Sequence, residues 1–217
     1  MASLTIENYV KAIYQIAARQ EGHAAATGKV AEALGVSPGT VTSMLKTLSE
    51  SGLAEYIPYE GARLTDSGRT LALRVLRRHR LIELFLVRTL QLTWDEVHEE
   101  AENMEHAVSD LLVDRIDAFL GYPATDPHGD PIPKADGTVA GSTGRSLSEI
   151  GAGSSFRVVR VIDQSPEFLR YLTETGLQLD AQGAVVANRA ESGTITVQVG
   201  RHQTTLAHKV ADRLLVT

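Results

Sequence analysis

Cysteine is absent from all 217 residues. Its absence excludes disulfide staples, Cys-ligated zinc fingers and thiol nucleophiles, and it fits a reducing compartment. Long apolar runs are missing too: no stretch approaches the roughly 20 residues that a bilayer span requires. The opening MASLTIENYV lacks the basic-then-apolar pattern of a secretion signal. A cytoplasmic protein with no membrane partner is expected. Aromatic residues make up only 5% of the chain, with a single Trp, yet 43% of residues are hydrophobic. That is enough for one large domain or two to three small ones, each with its own core.

The formal net charge of -6 conceals an uneven distribution. Residues 1–91 hold 11 Lys and Arg against 8 Asp and Glu, whereas residues 92–121 hold 1 against 9. A mildly basic front therefore precedes a strongly acidic stretch, and the overall charge does not exclude phosphate binding by the front.

The acidic stretch contains the run His98-Glu99-Glu100-Ala101-Glu102-Asn103-Met104-Glu105-His106. If it forms one helix, His98, Glu102, Glu105 and His106 fall within an arc of roughly 100°. His79 and Glu83 make an i, i+4 pair on the preceding helical segment, matched by His98 and Glu102. The bland reading is a solvated acidic face with incidental histidines; the paired spacing argues instead for a metal site. Imidazole and carboxylate donors without thiolate suit manganese, ferrous iron, cobalt or zinc. His23, His128, His202 and His208 show no such pattern and read as surface or loop residues.

Along the chain, Thr5 can cap a first helix bearing Ile6, Tyr9, Val10, Ile13 and Tyr14. A second runs from Gly28 to Leu34. Ser37-Pro38 then opens a third, whose stripe is Val41, Met44, Leu45 and Leu48. Two short helices joined by a tight Gly turn make a helix-turn-helix. AEYIPYEGARL follows as a hairpin with Glu60-Gly61 at its turn, so the motif is winged. A long helix from about Thr65 to Gln91 leads to the capping box Thr93-Trp94-Asp95-Glu96. That box opens an acidic helix with the apolar stripe Ala101, Met104, Val108, Leu111, Leu112, Ile116 and Phe119. Its later part suits either an internal core or a dimer interface. Pro, Gly, Asp and Ser then dominate to Gly153, including DPHGDPIPKADG, which is linker composition. Five or so short strands and a helix over Pro166 to Thr175 suggest a small barrel.

A recognition helix places its N-terminal residues at base edges in the major groove. Here that end offers Ser37, Pro38, Gly39, Thr40, Thr42, Ser43 and Lys46, with Arg63 on the wing. Ser37 and Ser43 are the candidates for base edges; Thr40, Thr42, Lys46 and Arg63 suit phosphate.

Taken together, the winged helix-turn-helix, RRHRLIELFL, WDEVHEEAENMEHAVSD, DPHGDPIP and the C-terminal barrel resemble the diphtheria-toxin-repressor family of metal-activated regulators, in its manganese-responsive branch. The resemblance spans essentially the whole length. It implies a mainly α protein with a small β domain. The expected division is a winged helix-turn-helix at 1–64, a helical metal-binding and dimerisation domain at 65–121, a linker at 122–146 and an SH3-like, FeoA-like barrel at 147–217. It also implies a homodimer on double-stranded DNA, at a pseudopalindromic operator near metal-transport genes, with no small-molecule substrate.

By the same resemblance, His79, Glu83 and His98 match an ancillary metal site. Glu102, Glu105 and His106 match a primary site, joined by Asn8 on the first helix. Gln164 and Glu167 resemble the two barrel residues that complete the ancillary site, with their order exchanged. Iron-responsive members usually have Cys where this chain has Glu102, which favours Mn2+ over Fe2+. Co2+, Cd2+ and Zn2+ are ions the same donors would accept in vitro. Asn8 brings no charge, so two separated sites are expected rather than a tightly bridged pair. Three rivals stand beside this reading. One is an iron-responsive repressor of the same family; another is a winged-helix sensor of an organic ligand. The third is a di-metal carboxylate bundle enzyme, which needs a Glu-x-x-His from each of two helices; this chain shows one such acidic cluster, and no enzyme is expected.

Overall fold

Three short helices open the chain, two of them started by a serine at the N-cap. The computed structural model describes residues 3–20, 22–141 and 144–217. In α1 (Leu4–Arg19) the cap is Ser3, whose hydroxyl accepts from the Ile6 amide at 3.4 Å. Thr5, expected at that place, lies inside the first turn. In α3 (Pro38–Glu50) Ser37 caps the Thr40 amide, and Pro38 takes the position where a missing N–H does no harm. Between them α2 (Thr27–Leu34) stops at Gly35 in the left-handed region, φ 63°.

The chain divides into two compact units, residues 1–78 with 133–138 and residues 79–132 with 139–217. In the first, Val10, Ile13, Val30, Val41, Leu45, Leu48 and Ala62 are fully buried in one core. Burying each of the larger of these side chains contributes roughly 1.5–3 kcal/mol. The hairpin β1 (Ala54–Ile57) and β2 (Gly61–Leu64) pairs Ile57 with Gly61. Its connection is therefore Pro58-Tyr59-Glu60, and Gly61 belongs to the strand rather than to the expected Glu60-Gly61 turn. Thr65 begins α4 (Asp66–Leu90) by accepting from the Gly68 amide at 3.2 Å.

In the second unit the acidic stretch departs from its expected form. It is two helices, α5 (Val97–Met104) and α6 (Asp110–Phe119). The break is set by Ser109, whose hydroxyl accepts from the Leu112 amide at 3.3 Å and restarts the helix. The apolar stripe keeps its helical period across the break, which is why spacing alone hides it. Val113 and Ile116 pack with Leu81, Leu84 and Ile132, while Val97 and Ala101 pack with Ile82 and Leu86. Leu111 and Phe119 are left about 70% and 69% exposed.

The C-terminal part is a six-stranded antiparallel sheet in the order β3-β8-β4-β5-β6-β7. These are β3 (Arg145–Ser146), β4 (Ser155–Val161), β5 (Gln182–Arg189), β6 (Thr194–Val199), β7 (His202–Ala207) and β8 (Leu214–Val216). Register shifts at Val158/Arg160 and Val185/Ala187 mark bulges, which bend and twist a sheet. The helix α7 (Pro166–Thr175) fills the core with Phe168, Leu169 and Leu172. Among the described residues no helix is long and apolar enough to cross a membrane.

Candidate metal centre

Charged groups are not buried without compensation, yet Glu83 and Glu105 are about 1% and 0% exposed. His79, from α4, lies between them. Its Nδ1 is 2.7 Å from Glu105 Oε2 and 3.8 Å from Glu102 Oε1; its Nε2 is 3.0 Å from Glu83 Oε1 and 3.2 Å from His98 Nδ1. His98, at the start of α5, adds Nδ1 at 3.3 Å from Glu83 Oε1 and Nε2 at 3.7 Å from Glu102 Oε1. Glu105 and His106 lie just past the end of α5, with His106 Nε2 at 3.1 Å from Glu105 Oε1. The structure brings His98, Glu102 and Glu105 together around His79, while His106 meets them through Glu105, and Glu105 and His106 sit on the turn after the helix rather than on its face.

A third contribution comes from the stretch read as linker. Asp126 and His128 are buried, and their segment is an ordered turn closed by a bridge between Thr125 and Pro131. Asp126 Oδ1 accepts from the amides of His128 at 2.8 Å and Asp130 at 2.9 Å. Gly129 sits at φ 85°, where a Cβ would overlap the Val159 carbonyl oxygen, so only glycine fits. The ring of His128 stacks on Trp94 with centroids 6.0 Å apart, and its Nε2 donates to the Trp94 carbonyl at 2.8 Å. That bond fixes the proton on Nε2. Nδ1 then faces Glu83 Oε2 at 3.7 Å, buried and beyond hydrogen-bond reach. His128 is thus no surface residue; its signal in the sequence was the alternation Asp126-x-His128-x-Asp130.

The donors form three overlapping groups, His79–Glu83–His98, His79–Glu102–Glu105 and Glu83–Asp126–His128, each with ligand atoms within 4.8 Å of one another. His79 and Glu83 each belong to two groups, so the donors adjoin one another. Burial alone would push the Glu83 carboxyl up, but the charge on His79 and contacts from His128, His79 and His98 hold it well below the usual carboxylate range. Burial, with the charges of Asp130 and Glu83, pushes Asp126 up to about 7 against the pull of His128 and Arg80. Burial opposes charge on His128, yet Glu83 and Asp126 raise it to about 9. Glu83 and Asp126 thus favour positive charge on the neighbouring His128, which offsets part of the cost of burying them. A first-row divalent ion held by nitrogen and oxygen fits the same place.

Gln164 and Glu167 do not join this array. Gln164 Nε2 donates to Asp130 Oδ2 at 3.0 Å, and Glu167 is exposed in the first turn of α7. Asp130 is instead a junction: Arg80 lies 3.4 Å away and Arg160 pairs with it too. Asn8, in the first unit, has its Oδ1 buried without a hydrogen-bond partner among the described residues.

At the start of α3, Ser37, Pro38, Gly39, Thr40, Ser43 and Lys46 are exposed and Thr42 is half-buried. Thr42 and Ser43 donate their hydroxyl protons back to the carbonyls of Pro38 and Gly39 at 2.9 and 3.2 Å. Each hydroxyl oxygen remains able to accept from outside. Arg63 is exposed on β2, across from Glu55.

Three known domain families match in succession. They are the iron-dependent repressor N-terminal DNA-binding domain over residues 1–62, the iron-dependent repressor metal-binding and dimerisation domain over 65–134, and the FeoA domain over 145–217. The iron-dependent repressor IdeR of Mycobacterium tuberculosis is 31% identical over 98% of this chain and 96% of its own. The diphtheria toxin repressor of Corynebacterium diphtheriae is 32% identical over 76% of this chain and 69% of its own. Among solved structures, a manganese-dependent transcriptional repressor in complex with manganese superposes with a TM-score of 0.86 at 40% identity, covering 98% of this chain and 99% of that one.

Proposed function

Since the chain belongs to the iron-dependent repressor family, metal-dependent DNA-binding transcriptional repressors that include the diphtheria toxin repressor, we propose that its activating ion is manganese. We further propose that it controls genes of metal-ion transport and homeostasis at a pseudopalindromic operator. The observation that carries this reading is the donor set: adjoining carboxylates and imidazoles, buried at His79, Glu83 and Glu105 and open to solvent at His98, with oxygen at Glu102 and no sulfur anywhere. Manganese is harder than the metals that thiolate sites select. The similar structure that holds manganese supports the same choice. Ferrous iron is the second reading, favoured by the names of the curated relatives.

In this proposal His79, Glu83, His98, Glu102, Glu105 and His106 hold metal, with Asp126 and His128 completing the side of Glu83. Asn8 is proposed as a further oxygen ligand on the resemblance to the family alone. When bound, the ion supplies fixed positive charge that offsets the buried carboxylates. The residues around it do the rest: the Trp94 carbonyl orients His128, and the Asp126 carboxylate holds the turn that presents it. Metal activates only by binding the DNA-competent state more tightly, a coupling of typically 1 to 3 kcal/mol. The family's dimerisation domain provides for a homodimer, and we assign its face to Leu111, Leu112 and Phe119 on α6, which are exposed and apolar. As repressors rather than enzymes are the relatives, the carboxylate-bundle reading falls.

Loss of the free Mn2+ electron paramagnetic resonance signal on titration into the protein, run beside DNA binding in Mn2+ and in Fe2+, tests the assignment. Tight manganese uptake that switches on DNA binding supports it. Switching by ferrous iron alone, at cellular concentrations of both ions, would replace manganese with iron.

A further inference from the structure

In the second unit, the turn that carries Asp126 and His128 leans on the C-terminal domain. His128 is fixed there at both backbone and ring. Its carbonyl accepts from the Val161 amide of β4 at 2.8 Å. Its ring lies against Trp94 and donates from Nε2 to the Trp94 carbonyl at 2.8 Å. Trp94 belongs to the short connection between α4 and α5, four residues before His98. The half-buried Trp94 ring packs against the core of the six-stranded sheet, and its indole Nε1 donates to Thr173 Oγ1 on α7 at 3.0 Å.

The hydroxyl of Thr173 is fully used. It donates to the Leu169 carbonyl one helical turn back at 3.1 Å, which leaves its lone pairs for Trp94 and for Gln178 Nε2 at 3.2 Å. The bond within α7 thus turns an acceptor toward the indole. Thr173 is exposed, and one hydrogen bond so open to water adds little to stability. What it fixes is the indole plane on which the His128 ring rests, with Nδ1 directed at Glu83 Oε2 3.7 Å away. Partners outside a ligand set hold the ligating rings in place and tune affinity. We propose that Thr173 is a positioning residue for manganese: acting through Trp94 it orients His128, so that the C-terminal domain raises metal affinity by a hydrogen bond outside the ligand set. The inference rests on the assignment of His128 to the metal centre and adds the residue that sets its place.

The test titrates Mn2+ alone into full-length wild type, T173V, T173S, W94F, H128A and the double variant T173V/H128A, reading free Mn2+ by electron paramagnetic resonance. T173V keeps the shape and loses the hydroxyl; its affinity should fall about three- to tenfold, the range of one net hydrogen bond. T173S restores the acceptor and should recover most of that loss. W94F keeps a ring and loses the donor, and should be weakened at least as much as T173V. In H128A the added T173V change should have no further effect, because the route it acts through is gone. Thermal midpoints of the metal-free proteins should be nearly equal for wild type, T173V and T173S. Wild-type affinity in T173V would overturn the proposal, as would a T173V loss that is undiminished in H128A or unrelieved in T173S. A lowered midpoint with unchanged affinity would make the bond purely structural. H128A with wild-type affinity would instead withdraw His128 from the centre, and the proposal with it.

Discussion

The start of α3 and the metal centre are both polar, and they are built in opposite ways. At α3 every element of the surface is local: Ser37 caps Thr40 three residues on, while Thr42 and Ser43 bond back four residues. At the metal centre the contacts join His79 to Glu105 across 26 positions and His128 to Trp94 across 34. The first surface is exposed and satisfied by its own neighbours; the second buries carboxylates and depends on distant partners. The lesson is that a nucleic-acid-reading surface can be set by a short stretch of chain, whereas a metal centre needs the fold.

Substitutions should split along that line. The largest effect is expected for Glu105→Gln or His106→Ala, which should keep the fold and weaken the manganese response of DNA binding by about 100-fold or more, beyond the range typical of outer residues. Metal titration followed by DNA-binding anisotropy measures it; a full manganese response in either variant would remove these residues from the centre. Next come His128→Gln and Asp126→Asn, each expected to lower manganese affinity by about 10- to 100-fold. Wild-type affinity in both would return the 126–130 turn to a purely structural role.

Smaller effects should arise at α3. Lys46→Ala should leave manganese uptake intact and reduce the salt slope of DNA binding by about 1 through loss of one phosphate contact. A changed manganese isotherm would show that the two regions are not separable in this way. Smallest in its reach is Ser37→Ala, expected to lower stability by about 1 kcal/mol through loss of the cap, read by denaturant unfolding. An unchanged midpoint would mean that Pro38 alone suffices to start the helix.

The same contrast explains what was legible in the sequence. Helix starts at Ser37-Pro38, the stop at Gly35 and the span of α7 depend on nearest neighbours, and the chain spells them out. His79, Glu83, His98 and Glu102 were legible because i, i+4 spacing survives in real helices. The split of α5 from α6 was not, because the apolar period runs unbroken through Ser109. Asp126 and His128 were hidden by composition: Pro and Gly that usually mark a linker here make a tight turn, whose burial is decided by Trp94 and Val159 far along the chain. Gln164 shows the same dependence on distant partners: its amide nitrogen donates to Asp130, a contact that spacing could not foretell.

The most direct test of the account is selection of genomic DNA fragments by the purified protein at fixed salt, with manganese and, in parallel, with chelator. We predict enrichment of one palindromic sequence with manganese only. Equal enrichment in both conditions would contradict metal gating and reduce the buried array to a structural ion site.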